Sequence, residues 1–247
     1  MGLMTLPERR APARPEDLRA IDTEFERVER GLLEAAEKVR SRIEAHYERL
    51  WSEDPKRAER FWLRLTPEWK DKYLDRAQGH IRKWKQFMPH LDGFASAYEI
   101  GVGPGSLFAL LRELKGVAMR GCDTDPDETV VFRELRREIG IADLVDNHAV
   151  RRRQPLPLPE GAEAVLGFYT TFSRKFSVED WQWLLDFCRE RLAGDKLILL
   201  VPNPKSFGRE GVNEFFRKRA EFPLRDPKVP EERQLWHERA FLRLSLA

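Results

Sequence analysis

The chain has 247 residues and a mass of 29.0 kDa, which at about 150 residues per domain leaves room for one large domain or one domain with an extension. Its 44 basic and 42 acidic residues nearly cancel, which disfavours nucleic-acid binding held mainly by charge, and no apolar run approaches the roughly 18 residues of a membrane span. Cys122 and Cys188 are too few for a disulfide framework or a zinc centre, and Met1-Gly2-Leu3-Met4 runs into charge and proline rather than a signal peptide, so a reduced, cytoplasmic protein is expected.

In chain order, the first eleven or so residues, ending near Pro12 and Pro15, read as disordered. A long helix is predicted over 15–50, with apolar positions Leu18, Ile21, Phe25, Val28, Leu32, Ala35 and Val39, then Ile43, Tyr47 and Leu50. Its seam either pairs with a second copy, giving a homodimer, or folds back on its own domain. Asp54-Pro55 starts a second helix carrying Phe61, Trp62 and Leu65. Thr66-Pro67-Glu68 caps a third, which is expected to run to Met88. Trp51, Trp62, Trp69 and Trp84 all fall in this charged helical region, either as anchors on a core or as walls of a pocket.

From residue 93 the pattern becomes alternating strand and helix. Strands are predicted at 95–100, 117–122, 144–150, 162–169, 196–201 and 241–246. Helices are predicted at 106–114, 128–139, 178–192 and 210–219. Short apolar strands separated by helices mean βαβ units and a doubly wound, mostly parallel sheet, an α/β Rossmann-like fold. The expected division is a helical extension over 1–92 and a sheet domain over 93–247. The extension holds 20 basic and 18 acidic residues but only Gly2, Gly31 and Gly79 among the glycines, as a helical region should.

The strongest motif lies where strand one meets its helix: Glu99-Ile100-Gly101-Val102-Gly103-Pro104-Gly105-Ser106. Glycines there permit a tight turn and a close backbone approach to a ligand. The dinucleotide fingerprint GxGxxG would need glycine at 106, where this chain has Ser106. Asp123 closes strand two, and a carboxylate there can accept from both hydroxyls of a ribose.

Together these residues resemble the class I S-adenosylmethionine-dependent methyltransferases. Glu99, Gly101, Gly103 and Gly105 match the family's first motif, and Asp123 matches its ribose-binding acid. The resemblance implies a seven-stranded sheet with the last strand antiparallel and S-adenosylmethionine as cofactor, lying over the strand ends. It implies an adenine contact after strand three, which falls at Asn147 or His148. The helix leading into strand one commonly covers the cofactor in this family. Tyr73, Arg76 and His80 recur there at helical spacing. Arg76 or Tyr73 would bind the cofactor carboxylate, and His80 would accept a proton.

The resemblance places the methyl acceptor after strand four, at Gly167-Phe168-Tyr169-Thr170-Thr171-Phe172, where Tyr169 and Thr170 would orient the acceptor or contact the cofactor. The (Asp/Asn)-Pro-Pro-(Tyr/Phe) motif of amino-group DNA methyltransferases is absent there; Pro202-Asn203-Pro204-Lys205 reads as a turn. The expected acceptor is therefore a small molecule. Arg151-Arg152-Arg153 reads as a solvated loop, and both cysteines as core residues. Three rivals stand beside methyl transfer. They are aminocarboxypropyl transfer or cyclisation with the same cofactor, a non-catalytic binding module using the long helix, and a nicotinamide oxidoreductase, which Ser106 disfavours.

Overall fold

The computed structural model describes residues 15–56, 73–124, 130–168, 172–201, 210–224, 228, 230 and 241–246. Six helices and seven strands are formed by these residues. The helices are α1 (Pro15–Glu53), α2 (Tyr73–Arg82), α3 (Ser106–Lys115), α4 (Val130–Glu138), α5 (Val178–Arg191) and α6 (Val212–Arg217). The strands are β1 (Ser96–Ile100), β2 (Ala118–Asp123), β3 (Val145–Asn147), β4 (Ala164–Phe168), β5 (Leu197–Val201), β6 (Glu221–Leu224) and β7 (Phe241–Ser245).

The strands make one sheet in the order β3-β2-β1-β4-β5-β7-β6. β1 to β5 pair in parallel, and β7 runs antiparallel between β5 and β6. This is the seven-stranded sheet that the resemblance implied. The alternating strand–helix pattern places six of its strands within a few residues. β6 was not among them. It is short, contains Pro223, and lies at the sheet edge with a register irregularity against β7. Proline cannot donate to a ladder, so it is tolerated at an edge and hides the strand from pattern reading.

The sheet is buried on both faces, as an α/β sheet must be. One core packs Leu107, Phe108 and Leu111 of α3 against Ala164, Leu166 and Leu199 of the sheet. The other packs Trp181, Leu184 and Cys188 of α5 and Phe216 of α6 against Tyr98, Val165 and Ile198. α5 begins with a capping box: Ser177 Oγ accepts from the Asp180 N–H at 3.3 Å, and Asp180 accepts from the Ser177 N–H at 3.0 Å. Arg151, Arg152 and Arg153 are exposed, yet Arg153 also donates to Asp180 at 3.0 Å and so fastens its loop to this cap.

The apolar stripe of α1 is used within the monomer. Phe25, Val28, Leu32, Ala35, Ala36, Val39 and Ile43 are all buried, and α1 packs along α2, α3 and α4. Phe25, Val28 and Leu32 join the same core as the α3 face of the sheet. Ion pairs rim the contact, with Arg42 bonding Glu134 and Glu138 and Arg82 bonding Glu29. The seam thus folds back on its own domain. Trp84 is buried in this region and Trp51 is about half exposed at 49%, so the tryptophans do not share one role. Trp62 and Trp69, the predicted second helix beyond Lys56 and the turn at 202–205 lie outside the described residues, while Pro55 and Lys56 are helical as expected.

The third predicted helix stops earlier than its pattern suggests. α2 ends at Arg82 and the chain continues as two 3₁₀ turns, Lys83–Gln86 and Met88–His90. Pro89 has no N–H and its ring would clash with an α-helical carbonyl at Lys85, so the chain reaches it in the tighter 3₁₀ winding rather than as a continued α-helix. The tighter winding carries Lys83 and Trp84 to the carboxyl ends of the strands. Strand three is likewise shorter than expected: Leu144 belongs to the 3₁₀ turn Ala142–Leu144, and the pairing with β2 ends at Asn147. Among the described residues, no helix is long and apolar enough to cross a membrane.

Candidate functional site

The chain crosses over at β1, which has β2 on one side and β4 on the other. Connections leave in opposite directions there, so a crevice opens at the carboxyl ends of the strands. A cavity of about 410 Å³ occupies it. Glu99, Gly101, Gly103, Asp123 and His148 line this cavity. Sequence reasoning had named all five.

The glycine loop is shaped by backbone geometry. Gly101, Gly103 and Gly105 have φ of 73°, 58° and 85°, conformations that a side chain disfavours. Gly105 is also the N-cap of α3, and a Cβ on it would run into Ile141. It shapes the turn from behind rather than lining the cavity.

Asp123 is fully engaged. One carboxylate oxygen accepts from the Gly103 N–H at 2.8 Å and from Arg136 Nη1 at 3.1 Å. The other accepts from the Thr124 N–H at 2.8 Å. The Arg136 side chain is only 5% exposed and also reaches the Gly103 carbonyl at 3.5 Å. One buried guanidinium therefore ties α4 to both the acid and the loop, which fixes the rotamer of Asp123 before any ligand arrives.

Glu99 is the opposite case. It is 3% exposed, and among the described residues its Oε2 is buried without a hydrogen-bond partner. Burial, reinforced by the nearby Asp123 charge, raises its pKa well above the ordinary carboxylate range; Lys83 opposes this. Lys83 stands in the same cavity with its Nζ 4.8 Å from the Trp84 ring centroid. Burial brings its pKa down to about 8, while Glu99 pulls it back up.

The far wall is aromatic. Trp84 meets Phe168, the last residue of β4, edge-on at 5.3 Å, and its Nε1 donates to Ser106 Oγ at 3.1 Å. Behind them Phe87 and Phe241 are completely buried. The hydrogen bond to Ser106 locks the pre-β1 turn onto the start of α3.

His148 follows β3, donates its backbone N–H to the Asp123 carbonyl at 3.0 Å and borders the cavity. Among the described residues its Nε2 is also buried without a hydrogen-bond partner. Asn147 is exposed at the end of β3, away from the cavity lining. The backbone of α2 carries Tyr73, Arg76 and His80, but their side chains lie outside the described set, as do Tyr169, Thr170 and Thr171. Cys122 borders the cavity with its thiol pushed up to about 11 by burial, and Cys188 is buried with its thiol pushed up to about 12.

Sequence reasoning missed Lys83, Phe132 and Arg136 as parts of this site; it held Trp84 only as one of four possible pocket walls, Phe168 only as part of the acceptor segment, and Ser106 only as a departure from the dinucleotide pattern. Arg136 left a trace: it falls on the same helical face as Phe132, Leu135 and Ile139, where a charge is unexpected. Lys83 left none beyond its closeness to strand one.

No protein-family model matches the chain, and no curated protein matches it. Solved structures do. A pyocyanin biosynthetic protein, PhzM, is 16% identical over 75% of this chain and 61% of its own length, with a TM-score of 0.48. This chain therefore spans about three fifths of that protein. The mitomycin 7-O-methyltransferase MmcR is 17% identical over 95% of this chain and 74% of its own length, with a TM-score of 0.46. A methyltransferase from Pyrococcus furiosus is 15% identical over 68% and 82%, with a TM-score of 0.46.

Proposed function

We propose that this chain, whose fold is class I methyltransferase-like, binds S-adenosylmethionine in the β1–β2–β4 crevice and transfers its methyl group to a small-molecule acceptor. The observation that carries the reading is the pair of carboxylates flanking the glycine loop. These acids line a crevice that suits a ribose and a cationic arm. Asp123 is already oriented to accept from ribose hydroxyls, and His148, which borders the cavity, would face the adenine, whereas Asn147 lies outside the lining. The cofactor supplies, when bound, a sulfonium carbon open to in-line displacement.

The chain's own residues do the remaining work. Gly101, Gly103 and Gly105 keep the backbone clear for close approach. Trp84, Phe168 and Leu107 keep water from the reacting end, which favours alignment of a desolvated acceptor. Arg76 and Tyr73 on α2, and Lys83 after it, are the candidates for the cofactor carboxylate. Tyr169, which follows Phe168, is proposed to orient the acceptor, and His80 to take its proton. Residues 93–247 would bind the cofactor, while residues 1–92 would cover it and shape the acceptor side; Lys83 and Trp84 support this by lining the cavity from that segment. The two buried free thiols accord with a reducing, cytoplasmic setting.

Calorimetry with S-adenosylmethionine and S-adenosylhomocysteine tests the reading, and saturable binding of both is the expected result. No binding of either would end it. Product analysis separates methyl transfer from aminocarboxypropyl chemistry on the same cofactor: S-adenosylhomocysteine marks the first and methylthioadenosine the second.

A further inference from the structure

Among the described residues, α1 contributes nothing to the lining of the cavity, yet it packs on α4, which shapes the ribose end. Phe132 of α4 lines the cavity, and Arg136 holds Asp123 and reaches the Gly103 carbonyl. Ile139 and the stem of Arg136 close off the space beside Gly105. A shift of α4 would therefore move the guanidinium that orients Asp123. With nine residues, α4 is shorter than the roughly 12 an isolated helix needs, so its setting depends on what packs against it.

The polar hold on α4 comes from one side chain of α1. Arg42 donates from Nη2 to Glu138 at 2.6 Å and from Nη1 to Glu134 at 3.4 Å. Lys38, one turn earlier on α1, adds a second cation to Glu138 at 3.6 Å. Glu134 and Glu138 are four residues apart and share the face of α4 turned to α1. Arg136, two residues on from Glu134, is more than half a turn away and projects to the other side, toward Asp123. A guanidinium fork fixes direction as well as distance, so Arg42 sets how α4 is turned.

We propose that Arg42 is a positioning residue of the ribose end: by clamping Glu134 and Glu138 it holds α4 in the setting from which Arg136 keeps Asp123 aimed at the ligand's hydroxyls. This rests on the proposed cofactor and deepens it, giving α1 a part in cofactor affinity without contact with the cofactor. α1 grips the far wall separately, where Arg82, next to Lys83, donates to Glu29 at 2.6 Å. The two grips can thus be broken one at a time. Arg42 is about half exposed, so its effect is graded rather than all-or-none.

Calorimetry on the full chain with S-adenosylhomocysteine and its 2′,3′-dideoxy analogue isolates the ribose hydroxyls, because the two probes share every other group. The wild type should bind the first about tenfold or more tightly, as hydroxyls donating to a carboxylate require. Arg42→Met keeps the apolar stem and removes the guanidinium. It should shrink that ratio about threefold to fivefold and leave the affinity for the dideoxy analogue unchanged. Arg42→Lys, which can still meet Glu138, should restore most of the ratio. Glu138→Gln should shrink it too, and should add little to Arg42→Met in the double variant. Glu29→Gln, which releases the grip on the far wall, should leave the ratio as in the wild type. An unchanged ratio in both Arg42→Met and Glu138→Gln overturns the inference and leaves the cofactor reading intact. An equal loss in Glu29→Gln overturns it as well, since any loosening of α1 would then act alike. A wild type that binds both probes equally removes the ribose role of Asp123 and the inference, but not cofactor binding. Binding of neither probe defeats the cofactor reading and the inference with it. Partial unfolding weakens both probes alike, so it does not imitate a change in their ratio.

Discussion

The two ends of the cleft treat their acids in opposite ways. At the ribose end Asp123 is satisfied without a ligand, by two backbone N–H groups and a buried guanidinium. At the loop's other end Glu99 is more deeply buried and keeps an oxygen with no partner among the described residues. The first is preorganisation: the protein has already met the cost of orienting the acid. The second leaves a buried acceptor without a hydrogen-bond partner among the described residues. The difference teaches that two carboxylates matching one sequence motif can differ in what they do for the empty fold.

Mutation should expose that difference most at Asp123. Asp123→Ala removes the carboxylate facing Arg136, a nearly buried guanidinium, and breaking a buried pair from one side costs about 3–5 kcal/mol. A urea melt should show a loss of that order, together with loss of S-adenosylhomocysteine binding. If stability held, the ribose end would not be the preorganised one.

Glu99→Gln should do the reverse. The folded pKa of Glu99 lies above its unfolded value, so the native state holds a proton that the unfolded chain has released. Wild-type stability then falls as pH rises above the ordinary glutamate range, until the folded pKa is passed. Glu99→Gln removes that slope, and the variant should be at least as stable as wild type at neutral pH while binding S-adenosylhomocysteine more weakly. Parallel wild-type and variant stability curves across pH 5 to about 7 would remove the contrast.

The smallest effect belongs to Trp84→Phe. It keeps an aromatic ring for Phe168 and Lys83 but loses the hydrogen bond to Ser106. About 1 kcal/mol of stability should go, with a modest loss of affinity at the amino-acid end. A larger change at the ribose end would show that the two ends are not independent.

Much of this architecture is legible from residue order. Alternation of apolar strands with amphipathic helices announces the doubly wound sheet, and the apolar spacing in α1 announces its buried face. Glu99, the three loop glycines and Asp123 all fall at the predicted crevice because strand ends and a switch point follow from connectivity. β6 was hidden because Pro223 at an edge obeys no strand pattern. The end of α2 was hidden because a 3₁₀ continuation depends on local strain at Pro89 and on packing, neither of which periodicity measures.

Composition, periodicity and local motif chemistry thus determined the fold class, the glycine turn and the position of its acids. These are local properties, set by backbone conformation and by which faces must leave water. Only the tertiary structure decided which charges became buried. Arg136 falls on the apolar face of its helix without any sign of which acid it would meet, and Lys83 lies between Arg82 and Trp84 with nothing to mark it. Burial of a charge depends on what packs over it from distant parts of the chain, and that same packing made Asp123 a finished contact and Glu99 an unfinished one.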